Sequence, residues 1–230
     1  LTLNAVRNII INADIGNTNG TLDLIFNAAG NISGAGNLSA SGTATFNAGV
    51  GTGLYSGVIS SGSLVKQGAG TLSLSGANTY SGSTTMTGGT LSVATLANGG
   101  LSSNLGASTN VASNLVFNGG TLAYTGSPVS TDRLFAITDN GGTINASGTG
   151  ALNFTNTGTI AYTGTSARSL TLAGSNTGDN TLRPVFANNT GLSSLTKTGA
   201  GTWLLTGNNT YTGNTFISAG TLRATGTLST

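Results

Sequence analysis

Residues Leu64 to Val93 read LVKQGAGTLSLSGANTYSGSTTMTGGTLSV, and residues Leu195 to Ala224 read LTKTGAGTWLLTGNNTYTGNTFISAGTLRA. The second stretch lies over the first without a gap, offset by 131 positions, and 16 of the 30 residues are identical. Shared positions include Lys66/Lys197, Gly68/Gly199, Asn78/Asn209, Tyr80/Tyr211 and Leu91/Leu222. A bias toward Gly and Thr does not align Lys and Tyr, so the chain carries an internal repeat. Within each copy Gly-Thr-Leu or Gly-Thr-Trp starts twice, at Gly70 and Gly89 and at Gly201 and Gly220, 19 residues apart both times. Looser echoes start at Gly20, Gly120, Gly142 and Gly158. A period near 20 with several short strands per period fits one coil of a parallel β-helix.

Outside the copies the pattern continues. Short alternating runs such as Leu115-Val116-Phe117, Thr121-Leu122-Ala123-Tyr124 and Ser169-Leu170-Thr171-Leu172 are bounded by Gly, Asn and Ser. These read as strands with one inward face. Frequent Gly and Thr, no Glu and little Lys leave nothing for a helix. The expected fold is all-β, a parallel β-helix of roughly 10–11 coils about 50 Å long. Residues 1–230 form one continuous solenoid in this reading, without a linker. Leu72, Leu74, Leu91 and Val93 should point inward, with Leu205 and Leu222 in matching positions of the second copy. Gly and Asn should occupy corners with positive φ.

The two copies resemble the autotransporter-associated β-strand repeat of bacterial passenger domains. That pattern is approximately L-x-K-x-G-x-G-T-L-x-L-x-G-x-N-T-Y-x-G-x-T-x-(I/V)-x-x-G-T-L. Met86 departs from it in the first copy, and Trp203 replaces a Leu in the second. Asn31-Ile32-Ser33-Gly34-Ala35-Gly36 looks like a degenerate flanking coil. The resemblance implies a right-handed β-helix displayed outside the cell or on the surface of a Gram-negative-type bacterium. It implies no particular activity, because fold does not give function.

Composition closes several routes to chemistry. The chain has no His, no Cys, 7 Lys+Arg and 5 acids, all of them Asp. Ser-His-Asp, Cys-His and zinc-finger arrangements therefore cannot be built. A net charge of +2 from scattered groups is no phosphate-neutralising surface, so nucleic acid is not an expected partner. No run of 18 apolar residues is present to form a spanning helix. Asp14, Asp23, Asp132, Asp139 and Asp179 read as isolated, solvated turn residues. Asp139 and Asp179 are the one pair whose spacing of two coils allows a shared face, where Arg133 or Arg168 would join them in a carbohydrate-active enzyme. Asp139-Asn140-Gly141-Gly142 and Thr177-Gly178-Asp179-Asn180 resemble calcium-loop fragments, but lack the repeated nonapeptide or the terminal Glu, and Asx-turns account for them. The expectation is no catalytic, cofactor or metal residue.

Lys66 and Lys197 read as edge-covering lysines, and Tyr80 and Tyr211 as packing over a coil corner rather than stacking on a sugar. Threonine pairs such as Thr43/Thr45, Thr85/Thr87, Thr155/Thr157/Thr159 and Thr196/Thr198 are irregularly spaced, whereas an ice-binding solenoid needs them in register once per coil. The leading expectation is an extracellular scaffold, passenger stalk or filament subunit. The alternative is an adhesin whose Thr/Asn/Tyr face engages glycans or another cell, and a polysaccharide lyase or hydrolase comes last. Apolar starts at Leu1-Thr2-Leu3 and Ile9-Ile10-Ile11 and the terminal Leu228-Ser229-Thr230 carry no capping pattern. Both ends are therefore expected to continue as β-structure, through a longer chain or through copies stacked end to end.

Overall fold

A computed structural model of the chain describes residues 1–17 and 19–228. Ser229 and Thr230, part of the expected terminal continuation, lie outside the described residues. The fold is an all-β solenoid of parallel strands, with a single 3-10 turn at Ala112–Asn114 as the one helical element described. Three sides stack along it. One side has eight strands, from Thr2–Ala5 to Ala161–Thr163; a second has ten, from Ile9–Ile11 to Thr215–Ile217. The third side follows the second in each coil. It begins as a pair, Ile15–Gly16 with Leu38–Ser39, and becomes a five-stranded sheet from Val129–Thr131 to Thr221–Ala224.

Alternation within each strand decides what enters the core, because successive side chains point to opposite faces. The inward rank of the ten-stranded side runs Leu72, Leu91, Leu122, Ile144, Leu172, each over the next in register. On the eight-stranded side the inward rank runs Phe26, Phe46, Lys66, Met86, Phe117, Ile137, Tyr162. Leu72, Leu74, Leu91, Val93 and Leu205 are buried as expected, and Leu222 is partly buried. Burying each such side chain is worth about 1.5–3 kcal/mol.

The corners differ from expectation in one respect. Among the described residues, every positive-φ residue is glycine, and no asparagine adopts that conformation. Buried asparagines act through their amides instead, supplying acceptors to N–H groups of the preceding coil that the ladder leaves over. Asn78 Oδ1 accepts from Ile59 N, Asn180 Oδ1 from Leu152 N and Asn209 Oδ1 from Phe186 N, at 2.8–2.9 Å.

Candidate functional site

The two repeat lysines are inside the rod. Phase explains this: Leu64 and Lys66 share one side of their strand, and Leu64 faces the core. Lys66 Nζ donates to the carbonyls of Gln67, Gly68 and Gly88 at 2.6, 2.9 and 3.4 Å. Lys197 Nζ repeats the arrangement on Thr198, Gly199 and Ala219 at 2.6, 2.7 and 3.1 Å. Each ammonium thus ties its own corner to the next coil, which replaces the edge-covering role expected from sequence. Gly89 and Gly220 close the same corners with positive φ, and a Cβ at either would sit 2.4 Å from two carbonyl oxygens. Burial pushes the Lys66 ammonium down to about 8 and lowers Lys197 as well. The carbonyls oppose this, since three acceptors need three N–H donors and a neutral amine has two. Tyr80 and Tyr211 are buried at the corners, with hydroxyls 2.7 and 2.6 Å from Thr84 and Thr215 Oγ1. Neither ring is available to a sugar.

The aspartates are largely solvated, as expected, but they are not isolated: each bonds to another coil. Asp14 accepts from Asn37 N, and Asp23 from Thr43 N, both at 2.7 Å. Asp132 accepts from Gly99 N at 2.8 Å and Asn110 Nδ2 at 2.9 Å. Asp139 accepts from Thr165 N, Ser166 N and Arg168 Nη2. Asp179 takes both its bonds from Arg223 Nη1, at 2.8 and 2.9 Å. Asp139 and Asp179 are therefore committed to different arginines. Arg133 is buried away from any groove. Its guanidinium binds the carbonyls of Ala97, Ser108 and Gly106 at 2.9–3.0 Å, holding the segment that leaves the coil after Val93. Arg168 stacks over the Tyr162 ring at 5.1 Å. The structure does not bring together the enzyme constellation considered from sequence.

Threonines do line up, although not in the pairs noticed along the chain. Thr52, Thr71, Thr90, Thr121, Thr143, Thr171 and Thr196 lie in register, one per coil, on the outer face of the ten-stranded side. The rank beside them is mixed: Leu54, Ser73, Ser92, Ala123, Asn145 and Ala173. A single rank of β-branched residues suits a pleated surface, and the paired lattice of an ice-binding face is not present.

Two surface recesses contain clustered polar groups. One, of about 450 Å³ beside Val6, is lined by Asn4, Asn27 and Asn47. Its amides satisfy one another, Asn27 Nδ2 donating to Asn4 Oδ1 and Asn47 Nδ2 to Asn27 Oδ1. The other, of about 560 Å³, lies on the five-stranded side over Phe154 and is walled by Asn153, Asp179, Thr181, Arg183 and Thr206. A smaller recess of about 220 Å³ adjoins it and shares Arg183 and Thr206. Asn153 Oδ1 and Thr206 Oγ1 are shielded from solvent and have no hydrogen-bond partner. Arg183 makes no ion pair among the described residues, whereas Asp179 is neutralised by Arg223. Elsewhere among the described residues, Arg168 Nε and Nη1 and Ser193 Oγ, on paired strands, are also buried without a partner.

Residues 64–93 and 195–224 match the passenger-associated transport repeat. The chain is similar to the adhesin BmaC autotransporter of Brucella suis biovar 1 (strain 1330), at 47% identity over 135 residues. That alignment covers 57% of this chain and 4% of the relative, so the chain spans a small part of that protein's length. No solved structure matches. The repeats are of the autotransporter-associated kind, and the similarities place the chain outside the cell or on its surface. No helix among the described residues is long and apolar enough to cross a membrane.

Proposed function

We propose that this chain is a non-enzymatic length of a surface passenger that takes part directly in adhesion, as a rigid rod carrying a binding face. The observation that carries the reading is the 47% identity to an autotransporter adhesin over more than half of the chain. The interior supports rigidity, with ladders packed in register, corners closed by buried lysines and coils joined by aspartate stitches. Microspheres coated with the purified chain should be retained on cultured cells under flow. Retention no greater than that of spheres coated with an inert protein of equal charge would leave only a spacer role.

That spacer role is the second reading, favoured because four of the seven basic residues, Lys66, Lys197, Arg133 and Arg168, are buried in structural contacts. We also read residues 1–230 as one continuous rod. In the last described coil Phe216 and Ile217 are more than half exposed, and a second copy stacked there would cover them. Sedimentation velocity over a range of concentrations tests this association, which should appear as growth in species size.

A further inference from the structure

Asparagine is followed by glycine four times, at Asn19-Gly20, Asn98-Gly99, Asn118-Gly119 and Asn140-Gly141. In this dipeptide the glycine nitrogen, unshielded by a side chain, can attack the asparagine side-chain carbonyl and expel ammonia. The attack needs a backbone N–H and a side-chain amide that no hydrogen bond holds back. The fold ties down three of the four. Gly99 N donates to Asp132 Oδ1 at 2.8 Å, and Asn98 Oδ1 accepts from Asp132 N at 3.0 Å. Gly119 N donates to the Gly141 carbonyl at 2.9 Å, and Asn118 Oδ1 accepts from Thr138 Oγ1 and Asn140 Nδ2. Gly141 N donates to the Thr138 carbonyl at 3.0 Å, with the Asn140 amide held by that bond to Asn118. Attack at any of these requires local opening of the coil first.

Asn19-Gly20 differs on each count. Both residues are exposed, and among the described residues neither Gly20 N nor the Asn19 amide has a hydrogen-bond partner. Gly20 has a φ of 75° and stands in open space. The bonds this segment does make hold its carbonyls. Asn17 Nδ2 donates to the carbonyls of Asn19 and Gly20 at 2.7 and 3.0 Å, and Ser41 Oγ donates to that of Gly20 at 2.9 Å. The first of these favours reaction. The Asn19 carbonyl and the Gly20 N–H form one conjugated peptide group, so when the nitrogen loses its proton the negative charge spreads to the Asn19 oxygen. A donor already aimed at an atom where charge develops stabilises the anion.

We infer that Asn19 is a self-modifying site, where the folded chain converts its own asparagine to aspartate and isoaspartate with Asn17 assisting. Gly20 N gives its proton to hydroxide and bonds to Asn19 Cγ. The Cγ–Nδ2 bond breaks, and Nδ2 takes a proton from water and leaves as ammonia. Water then opens the cyclic imide at either carbonyl. Opening at Cγ gives aspartate; opening at the backbone carbonyl gives isoaspartate, whose main chain runs through the former side chain. Either product is a carboxylate, which removes one unit of the chain's net charge of +2. The new charge falls in the first coil, which already carries Asp14 and Asp23. None of this depends on the adhesive reading.

The test holds the intact 230-residue chain in mildly alkaline buffer, once folded and once in guanidinium chloride, and follows amide-to-acid conversion by peptide mass spectrometry. In denaturant all four asparagines should convert at comparable rates. In the folded chain Asn19 should convert at least about tenfold faster than any of the others, because each of those must first break two hydrogen bonds that together are worth about that factor. Asn17→Ala should slow folded-state conversion at Asn19 by about threefold or more and leave the rate in denaturant unchanged. A merely structural tie would act in the opposite direction, since its loss would loosen the segment and speed conversion.

Folded-state conversion of Asn98, Asn118 or Asn140 as fast as that of Asn19 would overturn the inference. So would an intact Asn19 in the folded chain at a time when the denatured chain has converted. An Asn17→Ala chain that converts as fast as the parent, or faster, would remove Asn17 from the reaction. The four-site ratio is read on the parent chain alone and stands whether or not that variant folds.

Discussion

The two 30-residue copies share more than half of their residues, yet they occupy different sides of the rod. In the first copy Ser63–Gln67 and Thr84–Met86 belong to the eight-stranded side, and Thr71–Leu74 and Thr90–Val93 to the ten-stranded side. In the second, Ser193–Lys197 and Thr215–Ile217 are on the ten-stranded side, and Thr202–Leu205 and Thr221–Ala224 on the five-stranded one. The motif has moved one side around the axis. Its local contacts have not changed: lysine on three carbonyls, tyrosine on threonine, asparagine on the preceding coil. The repeat therefore specifies a corner and its two flanking strands, and contacts with the neighbouring coils decide the rest, as in a one-dimensional solenoid. Burial shows that second dependence. Met86 is fully buried between Lys66 and Phe117, while the equivalent Ile217, which has Lys197 on one side, is 56% exposed.

The sharpest way to break this comparison is at the leucine ladder. Leu91→Ala removes a side chain enclosed by Leu72 and Leu122 and should cost about 3 kcal/mol in denaturant unfolding. Leu222→Ala, over Trp203 but partly open, should cost under about 1 kcal/mol. Equal losses would mean that covering coils do not set ladder energy. The lysine clamps should behave in the opposite way. Lys66→Met and Lys197→Met each leave three carbonyls without a donor and should cost similar amounts, about 1–3 kcal/mol. A large difference between them would show that the side of the rod matters to the corner.

Proton linkage sharpens the same point. Lys66 has a folded pKa near 8 against 10.5 in the unfolded chain. Between those values the unfolded chain holds a proton that the folded one has released, so stability contributed by this site rises with pH across the window and is constant below it. The parent minus Lys66→Met difference, followed from pH 8 to 10, should show that rise, and a flat or falling difference would contradict it. Smallest of all, Thr90→Ala within the seven-rung rank should cost about 0.5 kcal/mol and Thr221→Ala on the open coil less still.

What could be read from the sequence follows the distance over which each feature is set. Inward leucines were legible because a period of two inside a strand fixes them locally. The lysines were legible too and were misread: Leu64-x-Lys66 has the same phase as Leu72-x-Leu74, a signal that composition-based intuition about lysine overrode. The asparagine corners were misassigned because an amide bonded to a previous coil and a residue with positive φ leave the same mark in sequence. The threonine rank and the recess over Phe154 were not legible. Successive rungs of the ten-stranded side are separated by 19 to 31 residues, and Phe154, Leu182 and Leu205 of the five-stranded side by 28 and 23, so uniform spacing aligns neither the threonines nor the residues that line the recess. Only the register of the folded strands does so.

The placement of the basic residues has a consequence for proteolysis. Trypsin needs an accessible Lys or Arg in a segment it can pull into an extended shape. Lys66, Lys197, Arg133 and Arg168 are enclosed, and of the exposed three, Arg183 is followed by Pro184, which blocks cleavage after it. Arg7 and Arg223 remain, one in each outermost coil. A chain nicked at those two positions would still hold every coil between them, including the recess over Phe154.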